Sequence, residues 1–591
     1  MSEASRSGAL LLGALALHAA LAVDSLRSSS ATFDEGAHLP AGYTYLALGD
    51  HRLNPEQPPL VKLLAAAPLL ALRPEFKADD EAWAAARQWE LGRRFLYRWN
   101  DADRLLFWGR LPVVALACAL GAAVFLRSRR RFGLPAAALA LLLCVLSPDV
   151  LAHGRLVTTD LALALFFFAT VVAFDGLTAR ATAGRLVRAG LALGAAFATK
   201  FSALILLPVL MGLGAAASLA PDPMTSALLG GERRVEGAGP RARHAAALLA
   251  AMCAVALAVL WGAYGFRGAL SPDPGARAAG RAALAEPGLG PLGAAAVRAA
   301  DLGLLPEDYV RGLLFVMRHS EARSTFLLGR LSDRGFPHYF LVTFALKTPL
   351  ALVALLVLAG LAAPPLPRRE AAFLWLPVLV YAAFALTSGL QIGHRHLLPI
   401  YPFLFVAAGR AALAARSRFD PPPSASRGTP RPAPLRFAVL GLAAWYALGT
   451  LRVHPHYLAY FNELAGGPGN GYRLLVDSNL DWGQDLKGLR AWMDARGVSR
   501  VRLSYFGSAD PAYYGIEADV LPGYTAPHAT HVTREVRPGD VVAVSATNLQ
   551  GVYLDPADRP LMERFRRLAP VGQVGYSILV YRADFAWPPP P

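Results

Sequence analysis

Hydrophobic residues run along this chain in long blocks rather than alternating at the period of a strand, and short polar stretches divide them. Blocks near residues 8–23, 105–126, 134–152, 161–177, 244–263, 337–363, 372–389, 397–415 and 437–453 approach the ~20 residues a helix needs to cross a bilayer. The stretch 189–220, "AGLALGAAFATKFSALILLPVLMGLGAAASLA", has 32 residues. As one helix it would be about 48 Å long, too long for one span and too short for two, so it predicts two short helices broken at Thr199-Lys200. The pattern predicts an α-helical polytopic membrane protein with about 11 spans.

From residue 454 the pattern changes. "YRLLVDS", "VRLSYFG", "DVVAVSAT" and "YSILVYRA" read as strands, and "DWGQDLKGLRAWMDARG" as a helix closed by Gly497. Residues 1–453 are therefore expected to form the membrane domain and 454–591 a compact soluble α/β domain. Within the first, 24–104 is a long loop, 264–336 is too long for a turn and predicts surface helices, and Pro-rich 416–436 reads as a linker.

The chain has 591 residues, 55% of them hydrophobic, and a net charge of +16. The charge alone would fit a nucleic-acid partner, but its distribution excludes one. Loops 127–135, 178–190, 220–244, 364–370 and 410–436 carry 19 Arg against five acidic residues, whereas 24–104 carries ten basic and twelve acidic residues. That bias orients membrane helices. It places the N-terminus inside, and it places 24–104, "HGRLVTTD", "QIGHRHLLP" and everything after 454 outside. The three cysteines, Cys118, Cys144 and Cys253, lie in apolar runs without metal-ligand spacing.

Polar residues that could do chemistry gather on the outer side. Asp34 and Glu35 follow the first span; they read either as the acidic start of a helix or as a general base at the membrane boundary. After them, "NPEQPPLVKLLAAAPLLAL" forbids and then permits a helix, which would lie in the interface. "LAHGRLVTTDLAL" brings His153, Arg155 and Asp160 to a tight turn, with Thr158 or Thr159 as a possible cap. Lys200 sits at the helix break, either snorkelling or holding a phosphate. In "QIGHRHLLPIYPF", Arg395 reads as an interface anchor or a phosphate clamp, beside His394 and His396. Asp34, Glu35 and Asp160 would suit a divalent cation if separate loops brought them together, so a metal stays open. "DSNLDWGQDL" carries a capping-box spacing, Asp481 with Gln484. Alternatively, Asp477, Asn479, Trp482 and Gln484, with His38 and His153, contact a sugar or acceptor.

"FDEGAHLPAGYTYL", "GDHRLNPEQPPLVKLL", "AHGRLVTTDLAL", "GAAFATKFSALILLP" and "GHRHLLPIYP" in this order resemble the lipid-carrier-dependent glycosyltransferases of the GT-C fold, over roughly residues 8–415. That group includes the protein O-mannosyltransferases and the aminoarabinose transferase that modifies lipid A. The resemblance implies a GT-C membrane domain, uncleaved at its first span, with the α/β domain periplasmic in a bacterial inner membrane. It implies a polyprenyl-phosphate sugar donor and a glycan, lipid or protein acceptor. It makes Asp34 the catalytic base beside Glu35 and Asp160 the second acid, with Lys200, Arg395 and His394 on the donor phosphate. Two features depart from the family. Gln57 stands where the aminoarabinose transferase has a lysine, and the tail does not resemble the extra domain of the O-mannosyltransferases.

Two other classes fit parts of the pattern. A flippase for lipid-linked sugars would place ionisable groups and broken helices near midplane in repeated halves, whereas here these groups sit at outer span ends and no repeat is evident. A receptor with a binding tail needs far fewer spans than this chain has.

Overall fold

The computed structural model describes residues 3–588 except 229, 267–273, 276–277, 279–281, 283–289, 320–322, 415–432 and 525–531. Seven described helices are long and apolar enough to cross a membrane, or eight if Tyr339–Lys347 and Leu350–Ala362, bent by 97°, form one span. Ala102–Val145 runs 44 residues and is broken at Gly133, whose φ of 81° and ψ of 179° are not helical. It therefore supplies two of the expected crossings. Ala183–Phe197, with 15 residues, and Ala433–Leu451, with 19, are the shorter helices at two further expected positions.

The break at Thr199-Lys200 is present: Ala183–Phe197 ends, Lys200 is extended, and a 3-10 turn, Phe201–Ile205, leads into Leu206–Leu219. The short helix packs tightly on Ala238–Ala263. A Cβ added at Gly190 or Gly194 would lie 2.4 Å from Val255 Cβ or 2.5 Å from Val259 Cβ. Small residues four apart let helix backbones approach this way without a hydrophobic drive from water.

At the opposite end from Lys200, Asp175 accepts hydrogen bonds from Arg127 (2.6 Å), Arg131 (2.5 Å) and Arg369 (3.1 Å), and Glu370 accepts one from Arg127 (2.5 Å). Part of the arginine excess thus joins three helices as well as marking a side. Of loop 264–336, the described residues include helices Gly290–Asp301 and Glu307–His319 and the hairpin Thr325–Leu327 with Arg330–Ser332. The expected linker 416–436 lies mostly outside the described residues.

The tail builds a five-stranded mixed sheet in the order Glu517–Val520, Arg500–Ser504, Val541–Ser545, Ile578–Arg582, Gly572–Val574. The first three strands are parallel, and Ile578–Arg582 is antiparallel to both its neighbours. Helix Leu486–Asp494 packs its apolar side, Leu486, Leu489 and Met493, against the sheet, and Gly497 at φ 64° follows it.

Two expectations fail here. "YRLLVDS" is not a strand; it forms 3-10 turns, Pro468–Arg473 and Asp477–Asn479, whose polar groups bond to the membrane domain and to the 546–553 turn instead of to a ladder. Asp481 and Gln484 do not form a capping box, because the helix starts at Leu486 and Asp481 Oδ2 instead accepts the Thr547 N–H at 2.8 Å.

Asp481 is fully buried, its Oδ1 has no hydrogen-bond partner among the described residues, and burial pushes its carboxyl up to about 8. A folded-state value above the unfolded one means the native state holds a proton the unfolded state has lost. Stability from this group is complete below about pH 4 and falls as pH rises toward 8. Asp481→Asn, which cannot ionise, is expected to flatten the melting temperature between pH 5 and 8 relative to wild type. Equal slopes would refute this.

Candidate active site

The site begins with a buried ion pair. Glu35 opens helix Glu35–Ala47 and is fully buried, with Arg110 donating to its Oε1 at 2.8 Å and to its Oε2 at 2.7 Å. The backbone N–H groups of Thr32 and Val157 also donate to it, at 2.8 and 2.9 Å. Burial raises its pKa, but the Arg110 charge and these hydrogen bonds outweigh that and leave it below the ordinary range. Glu35 is thus a satisfied anion with no lone pair facing an open site. Arg110 in turn donates to the carbonyls of Leu26, Ser29 and Ser30, which shapes the segment leading to Asp34.

Asp34 precedes that helix without capping it, and its side chain retains 27% exposure. Its Oδ2 accepts from Arg395 Nη1 at 3.0 Å. The same nitrogen lies 3.4 Å from Asp160 Oδ2, and Lys200 Nζ donates to Asp160 Oδ1 at 2.5 Å. Asp160 is the first residue of its helix, where the dipole favours a carboxylate. Thr159 provides no side-chain cap; its hydroxyl donates to Gln57 Oε1 at 3.3 Å. Four residues named from sequence thus converge from four separate loops, with alternating charge.

The other named residues lie around this cluster in different ways. His394 is turned inward: its Nε2 lies 2.6 Å from Tyr401 Oη and its Nδ1 3.3 Å from Thr343 Oγ1, so the ring does not join Lys200 and Arg395. His38 is buried with Nδ1 2.7 Å from Val157 O, which ties the first loop to the Asp160 turn. His153 is buried with its ring 6.0 Å from that of Trp482. Trp482 is buried too, and the Arg395 guanidinium lies 4.0 Å from its ring centroid. The indole therefore stacks on Arg395 and positions it, rather than standing open as a plate for a sugar.

Asn479 Oδ1 accepts the His394 N–H at 2.8 Å, while its Nδ2 donates to Tyr339 Oη and Val476 O. Gln484 donates to Leu480 O and Asp485 Oδ2 and accepts from Trp482 N–H. Neither amide faces an acceptor surface. Asp477 is buried with φ 57°: Ser478 N–H donates to its Oδ1 at 2.6 Å and Tyr553 Oη to its Oδ2 at 2.8 Å.

"DSNLDWGQDL" thus joins the tail to both halves of the site. Phe33 N–H donates to Trp482 O at 2.8 Å and Ser30 N–H to Gln484 O at 2.9 Å, just before Asp34. On the other side, Ser478 Oγ donates to Ile392 O at 2.8 Å, two residues before His394. Lys347, at the sharp bend between Tyr339–Lys347 and Leu350–Ala362, donates to Asn479 O at 2.6 Å.

No group of three or more His, Cys, Asp or Glu among the described residues is arranged to hold a metal ion. Glu35 faces Arg110, and a guanidinium lies between Asp34 and Asp160, so these three carboxylates do not form the cation site that sequence left open. Gln57 has no substitute in Lys62, which is buried with its Nζ on Tyr45 Oη, Asn54 and Gln57 O. A cavity of about 630 Å³ elsewhere, between Arg93 and the Arg500–Ser504 and Glu517–Val520 strands, shares no lining residue with the Asp34 cluster.

Sequence reasoning missed Arg110 and Lys347. The signal was available, since each is a charge inside an apolar block, and intramembrane charges are rare without a partner.

The fold and site define a polytopic helical membrane protein with charged residues converging at one end of the spans, against an α/β tail. Residues 104–222 match the family described as dolichyl-phosphate-mannose-protein mannosyltransferase, a segment holding Arg110, Asp160 and Lys200 but neither Asp34 nor Arg395. This match supports the resemblance drawn from the motifs, that of a GT-C, lipid-carrier-dependent glycosyltransferase. Among solved structures, the chain is similar to ArnT from Cupriavidus metallidurans bound to undecaprenyl phosphate, at 13% identity over 98% of this chain and 99% of that one, with a TM-score of 0.45. It is also similar to ArnT from Cupriavidus metallidurans in the apo state, at 14% identity over 98% of each chain, with a TM-score of 0.32. No curated protein matches.

Proposed function

We propose that this chain is an inverting glycosyltransferase that moves a sugar from a polyprenyl-phosphate donor to an acceptor hydroxyl on the periplasmic face of a bacterial inner membrane. The observation that carries the reading is the convergence of Asp34, Asp160, Lys200 and Arg395, with one guanidinium shared between the two carboxylates. Asp34, the more exposed carboxylate, takes the proton of the acceptor hydroxyl, whose oxygen attacks C1 of the sugar. The C1–O bond to phosphate breaks on the opposite side, and polyprenyl phosphate leaves with its electron pair.

That leaving group needs positive charge more than it needs an acid. Lys200 and Arg395 supply the charge, and the buried Arg395 Nε is a donor with no hydrogen-bond partner among the described residues. Glu35 and Arg110 act as positioning residues. The test is mass spectrometry of envelope glycans and lipid-linked sugars with the gene intact and disrupted. Disruption is expected to remove a sugar from an envelope component and to accumulate its polyprenyl-phosphate donor. Unchanged glycans and donor pools would overturn the reading.

A further inference from the structure

Five aromatic rings form a continuous wall beside Asp34. Phe33, the residue before it, lies 4.7 Å from Trp89, 5.6 Å from Phe506 and 5.7 Å from Tyr524 between ring centroids. The series continues from Phe506 and Tyr524 to Tyr553, at 6.1 and 5.2 Å. Tyr553 ends it by donating its hydroxyl to Asp477 Oδ2 at 2.8 Å. The wall therefore runs from the backbone of the proposed base to a second carboxylate, and both the first loop and the tail contribute to it.

A purely structural tie between loop and tail would bury these rings. Phe506 is buried, but Phe33, Trp89 and Tyr553 are only partly covered and Tyr524 is 43% exposed. Asp477 and Tyr553 also both hold a left-handed backbone, at φ 57° and 62°. That conformation is uncommon for Asp and an outlier for Tyr, and such strain persists where surrounding structure imposes it. Here it aims a hydroxyl and a carboxylate at one another along the wall. The Asp477 carboxylate is held on both oxygens, Oδ1 by the Ser478 N–H at 2.6 Å and Oδ2 by Tyr553, which fixes where it stands at the end of the wall.

Flat rings next to a fixed carboxylate match one ligand chemistry well. A pyranose ring has an apolar C–H face that stacks on aromatic carbons and an equatorial edge of hydroxyls that donate to a carboxylate. We propose that Phe33, Trp89, Tyr524, Tyr553 and Asp477 form the acceptor subsite and that it takes a pyranose ring, making the acceptor a sugar hydroxyl of a glycan or glycolipid. The proposal rests on Asp34 being the base. Lys200 and Asp160 hold the other side of the cluster, where the donor phosphate belongs, and this leaves the wall to the acceptor.

Binding can be read without turnover. Saturation-transfer NMR on the full-length protein in nanodiscs would use methyl α-mannopyranoside, methyl β-glucopyranoside and methyl N-acetyl-β-glucosaminide as probes. At least one is expected to receive saturation on its C–H face. Tyr524→Ala should weaken that transfer about threefold or more, by loss of one stacked ring. Tyr524→Phe should keep it, and Tyr553→Phe should weaken it without loss of the ring.

No transfer to any glycoside, or equal transfer in wild type and Tyr524→Ala, would overturn the proposal. So would two further outcomes. A Ser- and Thr-rich peptide whose signal shows the same Tyr524 dependence would make the acceptor protein, and a glycoside signal quenched by undecaprenyl-phosphate mannose would make the wall the donor-sugar site. Failure here leaves the envelope result under disruption untouched, so the two readings fail separately.

Discussion

Asp34→Asn is expected to lower sugar transfer by about 10²- to 10⁴-fold, the usual worth of a positioned general base. The substitution is close to isosteric, and Asn can still accept from Arg395 Nη1, so the cluster keeps its shape while losing only the group that takes the proton. The fold should not suffer, because the Asp34 side chain caps no helix and retains 27% exposure. Rates measured in membranes carrying the native donor, alongside a melting curve, separate the two effects. A variant that melts like wild type and transfers sugar at the wild-type rate would remove Asp34 from the chemistry.

Asp160 makes an instructive contrast. It is buried, and both Lys200 and Arg395 lean on it. An amide there would leave two cations short of a counter-charge, so its loss would disturb structure as well as rate. Asp34 is therefore the cleaner probe of the base.

Much of this site was readable along the chain because each piece carries a local signal. A carboxylate pair after the first span, an Asp opening a helix and a Lys at a helix break are each visible in a few residues, and the arginine bias places them on one side. The spans were readable for the same reason, since apolar length is a local property. What was hidden depends on contacts between distant segments. Nothing near residue 35 says that its partner is 75 positions away at Arg110. The stretch before Asp477 reads as a strand because Leu474, Leu475 and Val476 make a short apolar run of strand length, whereas the polar groups beside that run bond to the 392–394 and 546–553 segments. Trp482 reads along the chain as an open plate, but the Arg395 guanidinium occupies its face in the fold.

The hidden pair leads to the largest expected effect on stability. Arg110→Met should cost about 3–5 kcal/mol, the penalty for leaving one member of a buried ion pair without its partner. Glu35 would stay fully buried with only the Thr32 and Val157 donors, and the Leu26, Ser29 and Ser30 carbonyls would each lose a hydrogen bond. Glu35→Gln combined with Arg110→Met removes both charges, so it should be less damaging than the sum of the two single changes. Thermal melts of the three variants in one detergent would measure this. An Arg110→Met protein that melts with wild type, or fully additive losses, would show that the pair does not hold the loop. Because Arg110 shapes the segment that ends at Asp34, the loss should also reach catalysis: the single variant would transfer sugar poorly even where it remains folded, and the double variant would recover stability ahead of rate.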